Sequence, residues 1–327
     1  MSENSILMLR GYANEFSTTL RGQTQATEIL TRSISQQRLA PAYLFYGAEG
    51  IGKSIAARCF IELIFTHGVL ASESTLIRQK LRQGNHPDVL WVAPTYSHQG
   101  KLYSSAEATA AGIKRKAPPQ LRIEQIRDIG RFLARPPLLG ARAVVVIEQA
   151  ETMPEGAANA LLKTLEEPGK ATIIAIASSV EALLPTIVSR TQQIPFHRLD
   201  RVSMSDVLTS LGKTEILARP EILGLAQGSP GAAIAIWEQF QTLPAELLER
   251  LSQLPLTRRQ GLELAQQIDR DLDSAEQLWL VDYLQYIYWQ KYRHPPAIEL
   301  LEQTRSQLLA YVQPRLVWEC TLMRIKN

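Results

Sequence analysis

The run Gly47-Ala48-Glu49-Gly50-Ile51-Gly52-Lys53-Ser54 satisfies the spacing G-x-x-x-x-G-K-[ST] at every fixed position. In such a loop the backbone N–H groups surround phosphates, the lysine meets the β- and γ-phosphates, and the hydroxyl meets Mg²⁺. The device requires a strand holding one end of the loop and a helix N-terminus the other. Ala42-Tyr43-Leu44-Phe45-Tyr46 reads as that strand and Ile55 to Phe65 as that helix. A chain carrying this run must build an α/β nucleotide domain around it.

The rest of the N-terminal half fits. Val89 to Val92, Ala143 to Ile147 and Thr172 to Ala177 are continuous apolar runs, the pattern of parallel strands covered on both faces, with helical stretches between them. The expected fold class is α/β followed by all-α: a parallel-sheet P-loop domain over residues 1–196, a small helical lid over 197–240 and a C-terminal helical domain over 241–327. Within the first, residues 97–119 lose periodicity, gather the basic run Lys114-Arg115-Lys116 and read as an exposed, mobile insertion. Beyond Pro195 the strands stop and helical spacing takes over, from Val202 to Ile325.

Composition excludes more than it selects. A net charge of +3 is too mild to argue nucleic-acid binding alone, so any such surface must be a local patch. Cys59 and Cys320 are the only cysteines, which rules out a disulfide framework and a four-cysteine zinc site, and places the chain in a reducing cytosol. No apolar stretch of about eighteen residues occurs, so neither a membrane span nor an export signal is read, and a cytoplasmic location is expected.

The strand Ala143 to Ile147 runs into Glu148-Gln149-Ala150-Glu151, where P-loop proteins keep their hydrolytic carboxylates. Glu148 stands where an Asp is usual and retains the charge needed on the metal side. Gln149 occupies the base position with a neutral amide that cannot take a proton from water, a loss worth about 10² to 10⁴ in rate. Glu151 is a substitute only if its geometry cooperates. Nucleotide binding, by ATP or ADP with Mg²⁺ through Ser54, is therefore expected without vigorous turnover.

Arg127, Arg131 and Arg135 recur at i, i+4 and i+8 in the helical pattern Ile123 to Arg135, with Arg122 at its start. They form a basic stripe on one face. Trp279, Tyr283, Tyr286, Ile287 and Trp289 have the spacing of helix packing rather than of base stacking.

Asn159-Ala160-Leu161-Leu162-Lys163-Thr164-Leu165-Glu166-Glu167-Pro168-Gly169 closely resembles the corresponding segment of the clamp-loader branch of the AAA+ ATPases. Pro41 to Phe45 ahead of the loop, His86-Pro87-Asp88 before a strand, and Ser189-Arg190-Thr191 extend the resemblance over roughly Leu20 to Trp237. Motor subunits of that branch, gamma and tau, keep an Asp-Glu pair where this chain has Glu148-Gln149, and a lid arginine where it has Gly228-Ser229-Pro230-Gly231. Those departures point to the delta-prime branch. The resemblance implies that Arg190 is an arginine finger acting in trans on a gamma/tau neighbour, that gamma/tau, delta, the beta sliding clamp and primed DNA are partners, and that Arg122, Arg127 and Arg131 meet duplex phosphates. It also implies membership of a DNA polymerase III assembly without polymerase activity in this chain. Many bacterial members carry a zinc module after the P-loop helix, and this chain has no cysteines for it. The competing reading is an active gamma/tau-like ATPase; a P-loop kinase would leave Asn159 to Pro168 without a role.

Overall fold

The structure, a computed structural model, describes residues 19–98, 100–112, 118–255 and 257–325. It divides into two compact units, Met1–Ser203 and Met204–Asn327. The first contains strands β1 (Ala42–Tyr46), β2 (Val89–Val92), β3 (Tyr96–His98), β4 (Lys101–Tyr103), β5 (Ala143–Ile147), β6 (Ala171–Ala177) and β7 (Gln192–Pro195). Five of them form one sheet in the order β2-β5-β6-β1-β7, every pair parallel.

Alternate residues of the central strands feed two cores. Tyr43, Phe45, Val144, Val146, Ile174 and Ile176 pack on one face with Leu30 and Phe60, which come from the helices Thr24–Ser35 and Lys53–Thr66. Ala42, Leu44, Val145, Ile147, Ile173 and Ala175 pack on the other with Ile126, Ile129, Leu161 and Leu165, from Ile123–Leu133 and Glu155–Glu166. Because both faces are covered, strands β5 and β6 are buried along their whole length, which explains their uninterrupted apolar runs. The register pairs Tyr46 with Ala177 and Ile147 with Ala175, so the carboxyl ends of β1, β6 and β5 open at one edge. There an open α/β sheet binds its ligands.

Asp88 fixes how β5 enters this sheet. Its carboxylate accepts the backbone N–H of Leu138 at 2.6 Å, of Leu139 at 2.8 Å and of Gly140 at 2.7 Å, and its own carbonyl accepts from Val144 at 2.8 Å. His86 lies beside it, buried, with its ring centroid 4.4 Å from that of Phe65. The latch sets the start of the strand that delivers Glu148 at its other end.

The described part of the expected insertion over 97–119 carries secondary structure that its sequence did not announce. Residues 96–98 and 101–103 form a two-stranded hairpin and Ser105–Ala110 a short helix, while Thr95 and Gln120 exchange backbone hydrogen bonds of 3.0 and 3.1 Å across the base. Strands of three residues are too brief to leave a periodic signal. Lys114-Arg115-Lys116 lies outside the described residues. Strand β7 was also unanticipated: it is a short edge strand whose Gln192 and Gln193 are exposed, so it lacks an apolar run.

The second unit is helical, with helices Pro220–Ala226, Pro230–Thr242, Ala245–Leu251, Arg258–Asp271, Ser274–Tyr292, Pro295–Leu309 and Pro314–Arg324. The 3₁₀ turn Thr214–Ala218 precedes the first of these helices, which Pro220 starts. Buried aromatics in the bundle have their polar ends satisfied: Tyr288 donates to the Leu251 carbonyl at 2.7 Å and Trp318 Nε1 to Gln277 at 3.0 Å. Tyr283 and Ile287 are core, as their spacing indicated, whereas Trp289 stays 45% exposed. Phe240 lies 6.4 Å from Trp279 and 6.1 Å from Tyr283 by ring centroid, so residues from either side of position 240 pack together in this unit. No helix among the described residues is long and apolar enough to cross a membrane.

Candidate functional site

The loop Gly47 to Gly52 leaves the carboxyl end of β1 and enters the helix Lys53–Thr66 directly. Gly47 has φ +142°, and a Cβ there would stand 2.3 Å from the Phe196 carbonyl oxygen, so only glycine fits. Gly52, with φ +102°, ends the loop in the left-handed region at the helix N-cap. The helix thus begins at the lysine itself, and its first N–H groups face the loop.

Lys53 is buried, and its ammonium donates to the carbonyl of Ala48 at 2.6 Å and to that of Gly47. Burial pushes it below the usual lysine range, opposed by the carboxylates of Glu151, Glu49 and Glu148 in that order. An anion entering the loop finds a cation already stripped of much of its water.

Ser54 Oγ donates to Glu148 Oε2 at 3.0 Å, joining the loop to the end of β5 across the sheet. These two hard oxygens converge on one point, the donor type that Mg²⁺ takes when the remaining ligands are phosphate and water. The residues fit the ion: Ser54 and Glu148 would hold it, and it would neutralise phosphate charge.

Gln149 stands at φ +46° and ψ +53°, a left-handed turn that carries the chain from β5 into the 3₁₀ turn Ala150–Thr152. Beyond that turn Glu151 reaches across to β6, where its Oε1 accepts the Ser178 N–H at 3.0 Å and its buried Oε2 has no partner among the described residues. Of the carboxylates acting on Lys53, Glu151 acts most strongly. The turn therefore brings into the crevice an acid two positions beyond the usual one.

Gln23 is a member of this site that spacing did not disclose. Its buried side chain donates to the carbonyls of Ile51 at 3.3 Å and His197 at 2.7 Å and accepts the His197 N–H at 3.0 Å, tying the phosphate loop to the chain after β7. A glutamine just before a helix looks like any solvated residue, and nothing in its neighbours signals the clamp.

Arg190 follows the short helix Pro185–Val188 at the surface of the first unit. Its Nη2 meets Glu166 Oε1 at 2.9 Å, and its Nη1 donates to the Thr186 carbonyl at 3.1 Å and lies 3.5 Å from Ser189 Oγ. Of the basic stripe, Arg127 and Arg131 are exposed on the helix Ile123–Leu133, and Arg131 pairs with Asp128 at 2.6 Å. Arg135 falls beyond the helix end, and Arg122 is its half-buried N-cap, so the stripe is shorter than its spacing suggested. In the second unit Ser229 caps the helix Pro230–Thr242 by accepting the Ala232 N–H at 3.2 Å. Arg219, the arginine before it, lies over the Trp237 and Phe240 rings.

Two family models match the chain: one described as DNA polymerase III, delta subunit, over residues 22–200, and one described as Cyanobacterial DNA polymerase III delta prime, C-terminal domain, over residues 202–325. DNA polymerase III subunit delta' of Pseudomonas aeruginosa is 34% identical over 197 residues, covering 58% of this chain and 54% of that protein. The Bacillus subtilis subunit delta' is 31% identical over 200 residues, covering 60% and 54%. DNA polymerase III subunit tau/gamma of Haemophilus influenzae is 27% identical over 217 residues, covering 64% and 28%. The chain thus spans about half the length of the delta' relatives it matches.

Proposed function

Because the chain belongs to the DNA polymerase III delta-prime family, we propose that it is a subunit of a replicative clamp loader that binds ATP or ADP with Mg²⁺, turns it over poorly, and lends Arg190 to a neighbour's ATP site. The observation that carries the reading is the divided state of its own site. The Ser54 hydroxyl and the Glu148 carboxylate, 3.0 Å apart, support the reading of a metal-bound nucleotide, while Gln149 in the base position supports poor turnover. A loop so complete has a use in binding even where proton transfer is impaired.

The purified chain is then expected to bind ATP saturably in a calorimetric titration, with turnover near background. Lys53→Ala removes a buried charge partner for phosphate and weakens binding by about 2 kcal/mol, roughly thirtyfold. Steady turnover that disappears with Lys53→Ala would instead select the second reading, an active gamma/tau-like ATPase. Glu151 is the observation in favour of that alternative, since it places a carboxylate with an unpartnered oxygen near Lys53.

In the first reading the partners are gamma/tau and delta subunits, the beta sliding clamp and primed DNA, and the location is cytoplasmic. Arg127 and Arg131, with Arg122 behind them, supply sequence-independent phosphate contacts. Changing Arg127 and Arg131 to Glu should weaken primed-DNA binding of the assembled loader and reduce its log-log salt slope by about 2. Unchanged affinity at low salt leaves the stripe a solvated face.

A further inference from the structure

We propose that Glu166 is the positioning residue of Arg190, holding the guanidinium at its tip so that the remaining edge faces a polyphosphate on an adjacent subunit. The inference rests on the finger reading above and adds to it a residue with a distinct, separable effect.

Three acceptors from two elements converge on one guanidinium. Glu166 takes Nη2, the Thr186 carbonyl and Ser189 Oγ lie at Nη1, and Nε has no partner among the described residues. An arginine side chain is long and free, and its rotamer entropy is lost whenever it must meet an oxyanion in one geometry. Here the terminal nitrogens are fixed before the partner arrives. Nε is left without a partner among the described residues on a side chain 39% exposed, and a guanidinium edge of this kind can meet oxyanion oxygens side-on.

The position of Glu166 argues that it is there for Arg190 rather than for its own helix. It is the last residue of Glu155–Glu166, with Glu167 at the C-cap, so two carboxylates sit at the negative end of a helix dipole. That placement disfavours the helix. Glu166 is also 53% exposed and contributes no packing that would require a glutamate. Among the described residues its one ion pair is with the residue proposed to work on a neighbour's phosphate.

The test uses the reconstituted loader carrying Glu166→Ala. The neighbour's ATP turnover should fall about fivefold in kcat with KM unchanged, while Glu166→Gln, which keeps an acceptor oxygen, retains most of the rate. In an Arg190→Ala background the same change should have no further effect, and the melting temperature of the isolated chain should stay level or rise. On the isolated chain, a guanidine-directed dicarbonyl reagent should modify Arg190 several-fold faster in Glu166→Ala, read by mass spectrometry. A kcat unaffected by Glu166→Ala where Arg190→Ala lowers it, or an unchanged modification rate, overturns the positioning role and leaves the finger standing. If Arg190→Ala itself leaves the neighbour's turnover intact, the finger reading falls and this inference with it.

Discussion

In a reconstituted loader, Arg190→Ala should lower ATP turnover at the adjacent gamma/tau site by about 10³-fold while the complex assembles as before. The magnitude follows from what a finger does: a guanidinium stabilises charge that grows on the transferring phosphoryl group, in a site from which water is largely excluded. Lysine in its place should recover little, because a compact ammonium cannot present two parallel N–H donors. The side chain is 39% exposed on the first unit and meets Glu166 and Thr186 rather than being buried. Assembly should be insensitive, since Arg190 contributes nothing to either core. Single-turnover measurement on the neighbour's site is the check; a drop smaller than tenfold would mean that Arg190 is only a surface arginine.

The second large effect concerns stability. Asp88→Ala removes the acceptor of three backbone N–H groups at Leu138, Leu139 and Gly140, and should destabilise the first unit by about 3 kcal/mol. For a unit of this size that is roughly 6–12 °C in Tm. The latch also makes stability depend on pH. Burial opposes ionisation of Asp88, but the three N–H donors and the neighbouring His86 outweigh it and hold the carboxyl below its ordinary 3.8. His86 is pushed below its ordinary 6.5, chiefly by burial, with Asp88 opposing and Lys80 assisting.

Both groups therefore bind fewer protons folded than unfolded. Each contributes stability that is complete above its unfolded value and is lost as pH falls through its lower, folded value. Acidification should cost stability first below about 6.5 through His86, then below about 3.8 through Asp88. Thermal unfolding across that range, for the parent and for Asp88→Ala, should show the second loss only in the parent. A Tm change under 2 °C on removing Asp88 would mean that the loop is held by other contacts.

What could be read from the residues divides along physical lines. The phosphate loop and the strands at Ala42, Ala143 and Thr172 were legible because burial on both faces imposes unbroken apolar runs, and Val89 to Val92, a half-buried edge strand, because its residues are all apolar. Sheet order was not, since nothing in β6 says that it lies between β1 and β5. Strand β7 escaped because its exposed Gln192 and Gln193 leave no apolar run to read. Within the site, Lys53, Ser54 and Glu148 follow from spacing, and the structure brings the Ser54 and Glu148 oxygens within 3.0 Å. Gln149 also follows, but not its left-handed backbone, which is what brings Glu151 to Ser178. Gln23 was invisible because its importance lies in bonds to Ile51 and His197, one of them 174 positions away.

The pair of hydrogen bonds between Thr95 and Gln120 has a wider meaning. They return the chain to the point where it left, so the hairpin and short helix between them form a closed detour that the parallel sheet never registers. Such a junction is a natural graft site: what hangs from it can be lengthened or trimmed at the modest entropic cost of a different loop length, without altering the register of the nucleotide-binding sheet.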